Sequence, residues 1–371
     1  MELHRHQDLR AALCSLPRQH QALLQETGIA APLPPGTDAR AQPGTGVRAR
    51  IGEMDDRVRR NADVLEQIRA FCETFLGVLG GDGDTQGSGG RAARGPAEPA
   101  RTVVAERDQD RVRTAMRQLA RDWSDEGHDE REAAYGPLLR AVDEAAAHRS
   151  ACETRVLVPG AGMGRLAWEL AARGYRTQGN EFSYYMLLPT HFILNNTQRV
   201  HEHTLFPHIY AGSNWRSAND MLRPVRVPDV LPSTLPDAAE LSMVAGEFVE
   251  VYAKPEETAA WDVVVTCYFI DTAKNLLRYV EVINHVLPVG GVWVNSGPLL
   301  WHFEHESTPS VEFTLEEVLA IVLALGFEIV EQRTLSPQRY TAHPHSMLSY
   351  LYEPEMWVCR KVRDCGMAPV V

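Results

Sequence analysis

The chain has 371 residues, 44% hydrophobic and 23% charged, enough to bury a sizeable core and close to ordinary globular composition. A net charge of −12 and a pI of about 5.6 repel phosphate backbones, so no nucleic-acid partner is expected. No apolar run approaches the roughly 18 residues of a membrane span, and Met1 to His6 lack the apolar core of a secretory signal. The six cysteines (Cys14, Cys72, Cys152, Cys267, Cys359, Cys365) form no C-x-x-C pair and no zinc spacing. Scattered thiols suit a reducing compartment, so a cytoplasmic location is expected, with the nucleus as a second one.

Residues 1–30 read as helical, with Leu9, Leu13, Leu16, Leu23 and Leu24 among polar neighbours. Residues 31–46 carry four prolines and three glycines, which break helices. Helical character returns over 50–79. A Gly/Ser/Ala/Pro stretch to about residue 100 then reads as a flexible linker. Over 108–124, Val112, Ala115, Met116, Leu119, Ala120 and Trp123 repeat at helical spacing and form one apolar stripe. A second helix is predicted from Glu130 to Ala147. From Arg155 onward, short Val/Ile-rich runs alternate with helical segments, the pattern of βαβ units around a parallel sheet. The predicted organisation is an N-terminal helical region with linkers over 1–107 and an α/β domain over 108–371. Within the latter, 108–150 form a helical lead-in and 151–371 a Rossmann-like sheet.

Val156 to Pro159 is a short buried strand, followed at once by Gly160-Ala161-Gly162-Met163-Gly164 and a helix from Arg165 to Ala171. Glycines permit a tight turn and close backbone approach to a ligand, and the helix N-terminus offers free N–H groups. The spacing is G-x-G-x-G rather than the G-x-G-x-x-G suited to a dinucleotide pyrophosphate. Glu181 follows 21 residues after Gly160, at the tip of a predicted second strand. A carboxylate there can accept hydrogen bonds from both ribose hydroxyls. Residues 261–271 read as a fully buried strand ending at Asp271. Residues 287–295 read as a helix end, a Pro-Gly turn and a further strand. Ligands of open α/β sheets bind beyond the carboxyl ends of strands, so Asp271 and 297–303 should converge on one crevice.

Several stretches together resemble the carnosine N-methyltransferase family. They are VLVPGAGMGRLAWELA (156–171), GNEFS (179–183), AGEF (245–248), TCYFIDTAKN (266–275) and GGVWVNSGPLLWHF (290–303), with RQLARDWSDEG (117–127) upstream. The resemblance implies a Rossmann-like class I methyltransferase sheet and S-adenosylmethionine as cofactor. It also implies methyl transfer to an imidazole ring nitrogen of carnosine, giving anserine. It assigns Gln118, Arg121, Gly160, Gly162, Glu181, Glu247, Phe248 and Cys267 to the cofactor, and Asp271 and His302 to catalysis. Asp271, His302, Tyr340, Tyr350 and Tyr352 are assigned to the substrate. The family pattern has Asp where this chain has Glu247, which sets that carboxylate one methylene further out. A small-molecule partner and a homodimer are expected.

Gln118 and Arg121 are three apart and so share a helix face, where a guanidinium suits a carboxylate. Asp271 serves the site, the N-cap of a following helix, or both. His302 serves the site or sits as a satisfied core histidine. Tyr340, Tyr350 and Tyr352 read as an aromatic wall or as packed core strands, with Tyr350 and Tyr352 on one face of a strand by alternation, and Trp301 and Phe303 read as packing. Cys267 reads equally as an adenine contact or a small buried residue. His201-Glu202-His203 lacks the H-E-x-x-H spacing, and no metal is expected. The rival readings are a methyltransferase for another imidazole (a small molecule or a protein histidine), a nicotinamide-dependent oxidoreductase, and a non-catalytic scaffold.

Overall fold

The computed structural model describes residues 2–26, 47–79, 106–306 and 310–367. The expected linkers at 31–46 and 80–100 lie outside the described residues. Helices α1 (Glu2–Ser15), α2 (Arg18–Glu26) and the long α3 (Val47–Leu79) come first, then α4 (Glu106–Trp123) and α5 (His128–Ala145). The alternating part runs β1 (Arg155–Pro159), α6 (Arg165–Ala172), β2 (Arg176–Glu181), α7 (Tyr184–Asn196), β3 (His203–Leu205), α8 (Ala218–Met221) and β4 (Val225–Val227). It continues with β5 (Glu240–Ala245), α9 (Phe248–Tyr252), β6 (Val263–Cys267), α10 (Leu276–Val286), β7 (Val292–Gly297), α11 (Leu315–Ala324), β8 (Phe327–Thr334) and β9 (Glu355–Lys361).

Seven strands form one sheet in the order β5-β2-β1-β6-β7-β9-β8. β9 pairs antiparallel with both β7 and β8, while the pairings from β5 through β7 are all parallel. This order, with its antiparallel strand near one edge, is that of a class I methyltransferase sheet. Alternation along the strands sorts side chains to two faces. Val156, Val158, Val263, Val265 and Val294 pack with α5 and α6 on one face. Leu157, Val264, Trp293 and Trp357 pack with α10 and α11 on the other. Both faces are covered, so the central strands read as continuous apolar runs.

The apolar stripe of α4 packs into a third cluster. Ala115, Met116, Leu119 and Trp123 meet Val64, Ile68 and Cys72 of α3 and Phe192 and Ile193 of α7. Trp123 Nε1 donates to the carbonyl of Met163 in the glycine loop at 2.8 Å. A core residue thereby fixes α4 against the loop. β3 and β4 form a separate antiparallel pair.

Two expectations change. The strand predicted over 261–271 stops at Cys267, because Tyr268 takes φ +54 and turns the chain out of the sheet. Tyr350 and Tyr352 share no strand. Tyr352 makes a single bridge to Gln338, and residues 347–351 lie in no strand.

Candidate active site

The parallel strands β5, β2, β1 and β6 end side by side, and a cleft of about 1050 Å³ opens beyond their carboxyl ends. At the end of β1 the glycine loop lies in left-handed backbone, with φ +64 at Gly160, +55 at Gly162 and +76 at Gly164. The two cleft-lining glycines differ. A Cβ on Gly160 would come within 2.3 Å of the Phe269 ring, whereas one on Gly162 would meet no protein atom within 4 Å. Gly160 is thus required by packing, and Gly162 leaves room for a ligand.

Glu181, at the end of β2, is buried with its carboxylate toward this loop. Oε2 accepts from Gly162 N at 3.0 Å, and Oε1 accepts from Phe182 N and Ser183 N at 2.9 Å each. Burial raises its pKa above the usual carboxylate value, and the three backbone N–H groups partly offset the rise. Glu247 follows β5 and caps α9, its Oε2 accepting from Glu250 N at 2.8 Å. Phe248 beside it is buried and packs edge-on to Phe269.

From α4, Arg121 enters the cleft buried. Its Nη1 donates to Asp122 Oδ1 at 2.8 Å and to the Tyr135 hydroxyl at 2.9 Å, and its Nε has no hydrogen-bond partner. Burial opposes the charge, but Tyr135 and Asp122 beside it hold the pKa well above the ordinary value. The guanidinium also lies 4.8 Å from the Tyr340 ring centre. Gln118 Nε2 donates to the Tyr340 hydroxyl at 3.0 Å. Cys267 lines the cleft at the end of β6, its thiol pushed up to about 12 by burial.

His302 and Tyr340 also line this cleft, but Asp271 does not. Asp271 is 3% exposed and lies beneath the 298–303 loop. Its Oδ2 accepts from Leu300 N at 3.0 Å, and its carbonyl accepts from His302 N at 3.1 Å. The residue therefore holds the loop that presents His302. Burial lifts its carboxyl to about 6, against the pull of Leu300 N and His302. It is not an N-cap, because Asn275 caps α10.

Tyr350 is 72% exposed and lines a neighbouring cavity rather than this one, with Tyr340 forming part of both. Tyr352 does not line the cleft; it packs edge-on to Tyr268, which does, with ring centres 6.1 Å apart. Tyr268 was missed by sequence reasoning. It lines the cleft and stacks on Tyr340 at 5.0 Å with 21° between planes. Its strained φ is unusual for a bulky residue, and such strain gathers at functional sites. Trp301 and Phe303, read as packing, also line the cleft. Elsewhere, His201 Nε2 lies 2.8 Å from Asp125, and Glu202 accepts from Gln198 N and Arg199 N.

Glycine loop, buried acid and buried arginine around one cleft, on this sheet, define a class I methyltransferase. A family model described as carnosine N-methyltransferase matches residues 99–363. A carnosine N-methyltransferase of Mus musculus is 40% identical over 275 residues, covering 73% of this chain and 67% of that protein. One of Schizosaccharomyces pombe is 41% identical over 263 residues, covering 67% of this chain and 70% of that one. The chain belongs to the carnosine N-methyltransferase family. Helices α1 to α3 precede the matched stretch.

Proposed function

We propose that the protein transfers the methyl group of S-adenosylmethionine to an imidazole ring nitrogen of carnosine, yielding anserine. The observation that carries this reading is the single cleft. It joins Gly162, Glu181, Glu247 and Arg121 to His302, Tyr268 and Tyr340. The open space at Gly162 and the buried guanidinium of Arg121, whose Nε lies 3.8 Å from Glu130 Oε1, fit a zwitterionic nucleoside. In this reading Gly160 and Gly162 shape the loop. Glu181 takes the ribose hydroxyls, Glu247 and Phe248 flank the adenine, and Gln118 and Arg121 face the amino-acid end, with Cys267 beside Arg121 rather than at the adenine edge first read for it. When bound, S-adenosylmethionine supplies an electrophilic methyl on a sulfonium.

The protein's own task is alignment and exclusion of water. Imidazole has an ordinary pKa near 6.5, so about three quarters is neutral at pH 7. One ring nitrogen must present its lone pair while the other carries the proton. Tyr340 and Tyr268 form an aromatic wall for the ring, and Tyr352 backs Tyr268. His302 faces the cleft as the group that takes a hydrogen bond from the far ring nitrogen. Asp271 is a positioning residue acting through the 298–303 loop. After transfer the product ring sheds its remaining N–H proton to solvent through His302.

The test is mass spectrometry of carnosine incubated with the protein and methyl-labelled S-adenosylmethionine. Label on the imidazole supports the reading, and no transfer to carnosine overturns it.

A further inference from the structure

We propose that Lys274 recognises the free carboxylate of the substrate, an inference that rests on the methyl-transfer reading above. The chain strongly prefers arginine: of its 37 basic residues only Lys254, Lys274 and Lys361 are lysines. Lys361 is buried, and its ammonium donates to the carbonyls of Asn284 and Leu287 at 2.7 Å each. Lys274 instead lines the cleft, seven residues past the end of β6.

Its surroundings separate it from the other cations of the cleft mouth. Arg107 pairs with Glu306 at 3.3 Å, Arg111 with Asp108 at 3.2 Å and Arg278 with Glu281 at 3.0 Å. No ion pair joins Lys274 to a carboxylate among the described residues. Its ammonium rests 5.2 Å from the centre of the Phe303 ring, on the loop that carries His302. An aromatic face holds a cation at modest energy and leaves its N–H donors open to an anion. The carboxylate of a histidine-containing dipeptide sits on the carbon that bears the imidazolylmethyl group. It therefore accompanies the reacting ring closely, while the amine lies at the far end. A cation beside the ring-presenting loop matches that anion and disfavours the amine in its place.

Steady-state kinetics on carnosine and on its C-terminal amide test this in the wild type, Lys274→Met and Lys274→Arg. S-adenosylhomocysteine affinity is measured in parallel. The wild type should favour the acid over the amide. Lys274→Met should lose about tenfold in kcat/KM on carnosine, mainly through KM, with little change on the amide. Lys274→Arg should keep most of the preference, and S-adenosylhomocysteine should bind all three alike. Equal use of acid and amide by the wild type overturns the assignment. So does an equal loss on both substrates, or a matching loss of S-adenosylhomocysteine affinity. Methylation of neither compound by the wild type would overturn the parent reading, and this assignment with it.

Discussion

Gly162 and Gly160 lie two residues apart in the same loop, yet alanine at each should fail for a different reason. Both hold left-handed backbone, at φ +55 and +64, where alanine costs about 1–2 kcal/mol. At Gly162 that is the whole folding cost, because the new Cβ meets no protein atom within 4 Å and the N–H to Glu181 is retained. At Gly160 the Cβ falls 2.3 Å from the Phe269 ring. That ring stacks on Tyr279 at 4.9 Å and is 6% exposed, so it has little room to move. Overpacking of this kind adds about 1–3 kcal/mol. Gly160→Ala should therefore melt several degrees below Gly162→Ala, at about 2–4 °C per kcal/mol for a domain of this size. Gly162→Ala should stay folded and lose at least about tenfold in S-adenosylhomocysteine affinity, since its methyl enters the cleft. Thermal unfolding and titration calorimetry on both variants decide the matter. Wild-type ligand affinity in Gly162→Ala, or equal melting of the two, would refute the reasoning.

Glu181→Gln keeps the volume but turns a donor toward the backbone N–H groups of Gly162, Phe182 or Ser183. S-adenosylhomocysteine affinity should fall by about 1.5–3 kcal/mol, and calorimetry showing no loss would place the ribose elsewhere. Asp271 has a folded pKa of about 6, raised by burial. Its contribution is most favourable below the unfolded value near 4 and is lost as pH rises through 6. Asp271→Asn, which can still accept from Leu300 N, should therefore gain stability relative to wild type between pH 4 and 7. The expected gain is up to about 3 kcal/mol, read by denaturant titration across that range. A difference that does not change with pH would contradict the assigned burial cost. His302→Ala should lower turnover on carnosine tens- to thousands-fold while S-adenosylhomocysteine binding stays near wild type. Normal turnover would remove His302 from the substrate side.

The parts of this fold written in local pattern were readable in advance. The stripe of α4 was visible because 3.6-residue periodicity is set by a helix lying on a core. The β1–loop–α6 unit was visible because glycines interrupt an apolar strand. The tip position of Glu181 follows from the same unit. The end of β6 was not readable. Residues 267–270 are Cys-Tyr-Phe-Ile, which favour a strand. The chain leaves the sheet at Tyr268, at φ +54, while its N–H still donates to the carbonyl of Ser296 at 2.8 Å, across to β7. Gly297 permits that approach, since a Cβ there would sit 3.1 Å from the Tyr268 backbone. Such a contact is long-range and leaves no local periodic signal. The role of Asp271 was hidden for a related reason. Sequence placed an acid past a strand end, but only the path of the 298–303 loop determines that its carboxylate lies under the cleft wall rather than in the cleft. The segment between β8 and β9 lacks strand pairing at 347–351, so the alternation drawn for Tyr350 and Tyr352 had no sheet to support it.

The most direct test of the central claim is the position of the transferred methyl group. Carnosine is incubated with wild-type protein and S-adenosylmethionine carrying a carbon-13 methyl, and the product is examined by NMR. The expected result is one labelled methyl bonded to an imidazole ring nitrogen. A label on the β-alanyl amine, or recovery of unlabelled carnosine from protein that binds S-adenosylhomocysteine, would contradict it.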